Sequence, residues 1–148
     1  MHKIGFLIES LKTSQLSREI IHCCNNLDSS YLYTIHIDMI PTRCNFSIHP
    51  MEHAFDSQSI IVSTDRETTK FANKLFGVKK KFFYVYNLEW LYDVKSLKEN
   101  MEIYQSDVEL IVRSQEHFDI IKKLWKEPKH IIENFNHEEF AKISRENH

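Results

Sequence analysis

Residues 59–86, SIIVSTDRETTKFANKLFGVKKKFFYVY, contain the pattern that decides the fold. Apolar and β-branched residues at Ser59–Ser63 predict a buried strand, and the run KFFYVY at Lys81–Tyr86 predicts another. Between them, Thr64 and Glu67 form a capping box that would start a helix. The buried stripe of this helix is predicted to consist of Phe71, Ala72, Leu75 and Phe76. A strand, a helix and a strand in this order indicate one unit of a parallel sheet.

The residues before this unit continue the same alternation. A first strand is predicted over Lys3–Glu9 (KIGFLIE), followed by a helix with Ser14 as its N-cap. A second strand is predicted over Tyr31–Ile40 (YLYTIHIDMI). A loop holding one short helix, which Pro50 would open, then leads to the strand at Ser59.

The residues after the unit also alternate. Two further strands are predicted over Val108–Val112 and His130–Phe135, which makes about six in all. Helices are expected to begin after Ser96, Ser114 and Asn136, each a residue type that caps helices.

Chain length and alternation together predict a single domain. The chain has 148 residues, which suits one domain, and no hairpin turn such as Asn-Gly separates its strands. The predicted fold is therefore one α/β, Rossmann-like, three-layer domain over residues 1–148. Its mostly parallel sheet would have about six strands, with helices on both faces.

Composition excludes several classes of protein. The 19 basic and 21 acidic residues give a net charge of −2, so no nucleic acid partner is expected. No apolar run approaches the roughly 18 residues of a membrane span, and the N-terminus does not read as a signal peptide. The only glycines are Gly5 and Gly77, of which Gly77 lies where a helix would stop. Because glycine is so scarce, a dinucleotide fingerprint, a Walker A loop and a nucleophile elbow are all excluded.

Cysteines and histidines give no strong sign of a metal or redox site. An odd count of three cysteines, without a Cys-x-x-Cys pair, favours a reducing, cytoplasmic location. The string from His49 to His53 (HPMEH) matches an inverted zincin motif. Pro50 would place His49 at a helix cap rather than within the helix, so no metal site is predicted.

Polar residues that follow the predicted strands are the candidates for a binding site. Ligands of open parallel sheets bind beyond the carboxyl ends of the strands. The residues at this edge would be Glu9, Ser10, Asp38, Ser63, Thr64, Asp65, Asn87, Glu89, Trp90, Arg113, Ser114, Glu133 and Asn134. Two alternatives stay open, because Thr64, Ser114 and the nearby Asn136 could act only as helix caps, and Trp90 could be a packing residue.

The second half of the chain resembles a family of sugar-transferring enzymes. Residues 84–93 (YVYNLEWLYD) are similar to the segment Y-x-x-Q-D-x-E-x-x-F of some GT-B enzymes. Residues 104–140 resemble the end of the N-terminal domain of family 4-like glycosyltransferases, with its Ala-Asp pair, Ser-Glu and Asn-Gly-Val strings. Ser106-Asp107, Ser114-Gln115-Glu116 and Asn134-Phe135-Asn136 stand in those places. The resemblance covers about residues 80–143 and is carried by the order and spacing of these strings.

Two departures from the family accompany the resemblance. Residues 10–14 (SLKTS) stand where family members usually carry a Gly-Gly loop. The chain also stops where the C-terminal, donor-binding domain of the family would begin. The resemblance is thus to the acceptor half of the family alone. Glycine-poor, shortened enzyme halves of this sort are frequent in viruses. A viral origin would place the chain in a host cytoplasm.

The resemblance implies a glycosyltransferase-like function. Glu89 or Asp93 would be the base for an acceptor hydroxyl. Substrate-binding residues would be Ser10, Asn87, Trp90, Ser114 and Asn134. The implied reaction is a metal-independent hexosyl transfer with no bound cofactor. Its substrates would be a carbohydrate acceptor and a nucleotide sugar. A partner chain would carry the domain that binds the nucleotide sugar. The alternative is a non-catalytic module that binds a ligand or associates with itself as a homo-oligomer.

Overall fold

The fold is a three-layer α/β domain built on one parallel sheet. A computed structural model describes residues 3–88 and 97–147 of the chain. The strands are β1 (Ile4–Leu11), β2 (Ser30–Ile37), β3 (Ser47–Pro50), β4 (Ile60–Ser63), β5 (Lys80–Val85), β6 (Glu109–Val112) and β7 (His130–Ile131). All neighbouring strands pair in parallel, in the order β3-β2-β1-β4-β5-β6-β7. The predicted Rossmann-like fold is confirmed, with seven strands instead of about six.

Helices cover both faces of the sheet. They are α1 (Gln15–Asn26), α2 (Arg66–Ala72), α3 (Leu97–Tyr104), α4 (Gln115–Leu124) and α5 (His137–Glu146), with short 3₁₀ helices at Met51–Asp56 and Glu133–Phe135. Successive strand residues point to opposite faces. In β1, Phe6 therefore packs in the cluster that contains α1 and α5, whereas Leu7 packs in one that contains α2. The third cluster joins β5 and β6 to α3 and α4.

The extra strand is β3, at the edge of the sheet. Among the described residues it pairs only with Tyr31–Thr34 of β2, and Pro50 at its end has no N–H to donate. The sequence predicts a loop here, because four residues that end in a proline do not show a strand pattern. His49 lies in this strand and His53 in the following 3₁₀ helix, so the two do not share a helix face. Within residues 3–88 and 97–147, no group of three metal-ligating side chains is found.

Helix α2 differs from its prediction at both ends. Its N-cap is Asp65, which forms the capping box with Thr68, while the Thr64 hydroxyl donates to the Leu7 carbonyl at 2.7 Å. The helix ends at Ala72, well before Gly77, so the chain leaves its helical path before the last two residues of the predicted stripe. Leu75 is still buried, but Phe76 is 93% exposed, and the prediction that Phe76 belongs to the core is wrong.

The carboxyl ends of β1 and β2 extend beyond the rest of the sheet. β4 pairs with β1 only as far as Leu7, and β3 pairs with β2 only as far as Thr34. The two strands still pair with each other up to Leu11 and Ile37. They therefore form a two-stranded ribbon that projects from the carboxyl edge.

An aromatic cluster closes the core beneath β7 and α5. The Phe135 ring stacks on Tyr84 with centroids 4.1 Å apart, and Phe140 meets Phe6 edge-on at 5.2 Å. The Tyr84 hydroxyl donates to the Ile132 carbonyl at 2.6 Å and accepts from the Phe135 N–H at 3.4 Å. Burial raises the pKa of this hydroxyl well above its ordinary value, so it stays protonated. These contacts fix the turn that follows β7.

The cysteines behave as small apolar residues. Cys23 and Cys24 are buried on α1, and all three cysteines are free thiols. Burial is the main cause that raises the pKa of Cys24 to about 12, and it raises the pKa of Cys23 further. Thiols with such pKa values are poor nucleophiles.

Among the helices that the structure describes, none has the length and apolarity needed to cross a bilayer.

Candidate functional site

A cavity of about 330 Å³ lies at the carboxyl ends of β6 and β7. It is lined by Arg113, Ser114, His117, Glu133 and Asn134. Its lining residues come directly after two neighbouring strands and from the first turn of α4. Because ligands of open parallel sheets bind at this edge, the cavity is the candidate site.

Arg113 is the cationic residue of the cavity, and its guanidinium group contacts Tyr86. Its guanidinium Nη1 donates to the Tyr86 carbonyl at 2.9 Å, and the guanidinium carbon lies 4.2 Å from the centre of the Tyr86 ring. Tyr86 is itself buried, and burial together with the nearby Glu19 raises the pKa of its hydroxyl to about 12. The cation is thus placed by one hydrogen bond and one cation–π contact.

His117 brings a neutral imidazole to the cavity. Ser114 is the N-cap of α4, and its Oγ accepts from the His117 backbone N–H at 3.2 Å. Burial, with the positive charge of Arg113, lowers the pKa of His117 below its ordinary value of 6.5. The imidazole is therefore uncharged at neutral pH. Its Nδ1 is buried and has no hydrogen-bond partner in the part of the chain that the structure describes.

Glu133 and Asn134 form the other wall of the cavity. Asn134 has φ 49° and ψ 38°, and Phe135 has φ 52°, so two successive residues adopt the left-handed conformation. Asparagine tolerates this conformation better than most residues, but phenylalanine does not. The stacking of Phe135 on Tyr84 holds the pair, and it thereby leaves Asn134 exposed at the cavity.

The lining offers a mixed set of hydrogen-bonding groups. Arg113 supplies donors, Glu133 supplies acceptors, and the Ser114 hydroxyl, the Asn134 amide and a neutral His117 can do both. The first turn of α4 adds a partial positive charge. Such a set suits a ligand with several hydroxyl groups, or one with a single negative charge.

The structure brings together two of the seven predicted site residues. Ser114 and Asn134 line the same cavity. Ser10 lies half-buried in the projecting ribbon, where it pairs with His36, and Asn87 is exposed just beyond Tyr86. Neither lines the cavity. The remaining three, Glu89, Trp90 and Asp93, lie outside the described residues.

Sequence reasoning missed one lining residue and undervalued two others. The sequence predicts Arg113 and Glu133 at this edge but assigns them no role in binding. His117 is not among the predicted residues. The sequence does contain a sign of His117, because this residue is the third after the N-cap Ser114. Side chains in the first turn of such a helix lie beside the carboxyl edge of the sheet, where ligands bind. The capping role of Ser114, left open by the sequence, is present as well.

Comparison with protein-family models, curated proteins and solved structures finds no match to this chain.

Proposed function

We propose that this chain is a carbohydrate-binding, acceptor-side domain of a glycosyltransferase of the GT-B type. The cavity beside Arg113 would hold a sugar-bearing ligand. Glu89 or Asp93 would deprotonate the acceptor hydroxyl, and a donor-binding domain would present the nucleotide sugar. No bound metal or other cofactor is needed for this role.

One observation carries the proposal. Ser114 and Asn134, which the family resemblance assigns to the binding cleft, line one cavity with Arg113 and His117. The Ser114 Oγ accepts from the His117 backbone N–H at 3.2 Å, which holds the first turn of α4 beside the cavity. The mixed donors and acceptors of the lining match the alternation of hydroxyl groups around a sugar ring.

A ligand screen tests this function. The melting temperature of the full chain should rise on addition of millimolar sugar or nucleotide sugar, because a ligand that binds only the folded state stabilises that state by mass action. Asn134→Gly should weaken the affinity about tenfold, as expected for loss of one good hydrogen bond. Glycine adopts the left-handed conformation without strain, so this variant should keep its fold. The measurement is the shift in melting temperature over a panel of free sugars, nucleotides and nucleotide sugars.

Gln115→Ala provides the matched control. Gln115 is exposed, adjoins Ser114 and does not line the cavity, so its replacement should leave the affinity unchanged. If no member of the panel shifts the melting temperature, or if Asn134→Gly binds as tightly as the original chain, the proposal fails.

A second candidate function, self-association, is favoured by the exposed end of β2. Ile35 and Ile37 are 57% and 54% exposed, and Met39 and Ile40 continue the apolar surface. The outer edge of β2 beyond Thr34 has no strand paired with it among the described residues. Unpaired edges that carry apolar side chains pair readily with another strand. Two copies could therefore pair through this edge about a two-fold axis.

Light scattering after gel filtration tests the self-association. The chain should elute as a dimer at high micromolar concentration, and Ile37→Lys should give a monomer, since an exposed lysine on an edge strand disfavours pairing. Leu124→Lys, at a residue 50% exposed on α4, should leave the dimer intact. A monomer at all concentrations for the unaltered chain would contradict this candidate.

A further inference from the structure

A second cavity, of about 800 Å³, lies at the amino ends of β5 and β6 and is rich in lysine. Its lining includes Lys74, Phe76, Lys79, Lys80, Lys81 and Lys126. These five lysines face two carboxylates, Asp107 and Glu109. A positively charged surface is thus concentrated on one end of a chain whose net charge is −2.

The lysines of this cavity divide into two groups. Lys80 forms an ion pair with Glu109 at 2.7 Å, and the Lys126 ammonium donates to the carbonyls of Ser106 and Val108. The ammonium groups of these two lysines are thus already bound to groups that line the cavity. By contrast, the other three lysines have no hydrogen bond or ion pair to any side chain that the structure describes. Their ammonium groups are available to an anion.

Phe76 is the most exposed large apolar side chain of the described residues, at 93%. Its neighbour Leu75 is 1% exposed, which anchors the loop to the core directly behind the ring. A phenyl group held outside the surface loses the stabilisation that burial would give it. Its position between Lys74 and Lys79 in the sequence places an apolar group and several cations on one surface.

We propose that this lysine cavity and Phe76 form a docking surface for an anionic phospholipid membrane. The three available lysines would contact headgroup phosphates, and the Phe76 ring would enter the interface between headgroups and acyl chains. This role is separate from the sugar-binding function proposed above and does not depend on it.

Two observations favour a lipid surface over a strand of nucleic acid. Sequence-independent binding of single strands uses several aromatic side chains on which successive bases stack, whereas Phe76 is the one aromatic side chain among the described residues that line this cavity. A nucleic acid strand would also run past the rest of the molecule, where acidic residues outnumber basic ones. A membrane touches only the basic end.

The orientation that follows is compatible with ligand binding. The lysine cavity lies at the amino edge of the sheet, and the Arg113 cavity lies at the carboxyl edge. Because all strands are parallel, these two edges face opposite ways. A chain docked through Phe76 would keep its sugar site facing the aqueous phase.

Vesicle co-sedimentation of the full chain tests the proposal. The chain should bind vesicles that contain phosphatidylserine and should not bind vesicles of phosphatidylcholine alone. Binding should weaken as salt is added, because salt screens exposed charges. The double variant Lys79→Glu/Lys81→Glu should lower the partition coefficient more than tenfold. Phe76→Ser should lower it several-fold without changing the net charge.

Matched variants separate docking from general charge. Lys122→Glu/Lys123→Glu makes the same change in charge at exposed positions on α4 and should leave vesicle binding within twofold of the unaltered chain. Melting temperatures confirm that each variant folds. Equal partitioning of all variants would overturn the proposal, and so would an absence of binding to phosphatidylserine. Preferential, Phe76-dependent binding of a single-stranded oligonucleotide over vesicles would also overturn it.

Discussion

Phe135→Ala is expected to lower the free energy of unfolding by about 3–5 kcal/mol, the range for removing a fully buried phenylalanine from a core. Phe135 is 1% exposed, stacks on Tyr84 and lies about 6 Å from the rings of Phe6 and Phe140. Its removal would leave a hole between the sheet and α5. Urea denaturation followed by circular dichroism measures the change.

The same variant should also weaken the candidate site. Phe135 and Asn134 share the left-handed turn, and stacking on Tyr84 is what holds that turn in place. Without the ring, the residue at position 135 would relax toward ordinary backbone angles. Asn134 would then no longer line the cavity, and any ligand-induced thermal shift should disappear together with the stability.

Phe55→Ala is a suitable comparison. Phe55 contacts Phe71 with centroids 5.1 Å apart but is 45% exposed, so its loss should cost clearly less than that of Phe135. If the two variants lose the same stability, the aromatic cluster beneath α5 does not have the structural role assigned to it.

Gly5→Val is expected to destabilise the domain by about 3 kcal/mol or more, at the upper end of the cost of overpacking a core. A Cβ at Gly5 would lie 2.9 Å from Cε2 of Tyr33 and 3.0 Å from Cδ1 of Ile61. β1 is a central strand with a partner on each side, so it cannot move away. Chemical denaturation should show a lower midpoint with a similar slope.

Gly77→Ala is the control for this prediction, because it alters the other glycine of the chain. Its new Cβ would approach the Ser57 carbonyl at 3.5 Å, an ordinary contact, and Gly77 does not have a positive φ. Alanine there should be neutral or slightly stabilising, by up to about 1 kcal/mol, through the unfolded state. An equal loss of stability in both variants would show that the close approach of Tyr33 to β1 is unimportant.

The sequence predicts the fold well because the core strands are strongly patterned. Runs such as IIVS and FFYV are buried on both faces of the sheet, and a strand buried in this way must be apolar at successive positions. Strand β3 does not appear in the sequence pattern, since an edge strand of four residues needs few apolar side chains. The prediction for Phe76 is wrong because the helical spacing of the sequence continues past Ala72, where the helix ends.

The candidate site was predictable only in part. Ser114 and Asn134 could be located because both lie at the carboxyl end of a predicted strand, and position along a strand decides which edge a residue reaches. The role of His117 depends on the burial of one ring nitrogen and on the nearby charge of Arg113. Neither the burial of this nitrogen nor the proximity of the two side chains can be deduced from the spacing of residues along the chain. The left-handed turn at Asn134 depends on Tyr84, fifty residues earlier, and on a stacking contact that no local pattern reveals.

The pairing of Phe6 with Phe140 has a consequence for how the chain folds during synthesis. β1 is made first, yet α5, which covers its Phe6 face, is made well over a hundred residues later. Contacts between residues so distant along the chain form slowly, because the entropy cost of closing a long loop comes before the contact adds any stability. Until α5 emerges, the apolar face of the nascent sheet stays open to water and to chaperones. Complete burial of Phe6 therefore waits for the synthesis of α5.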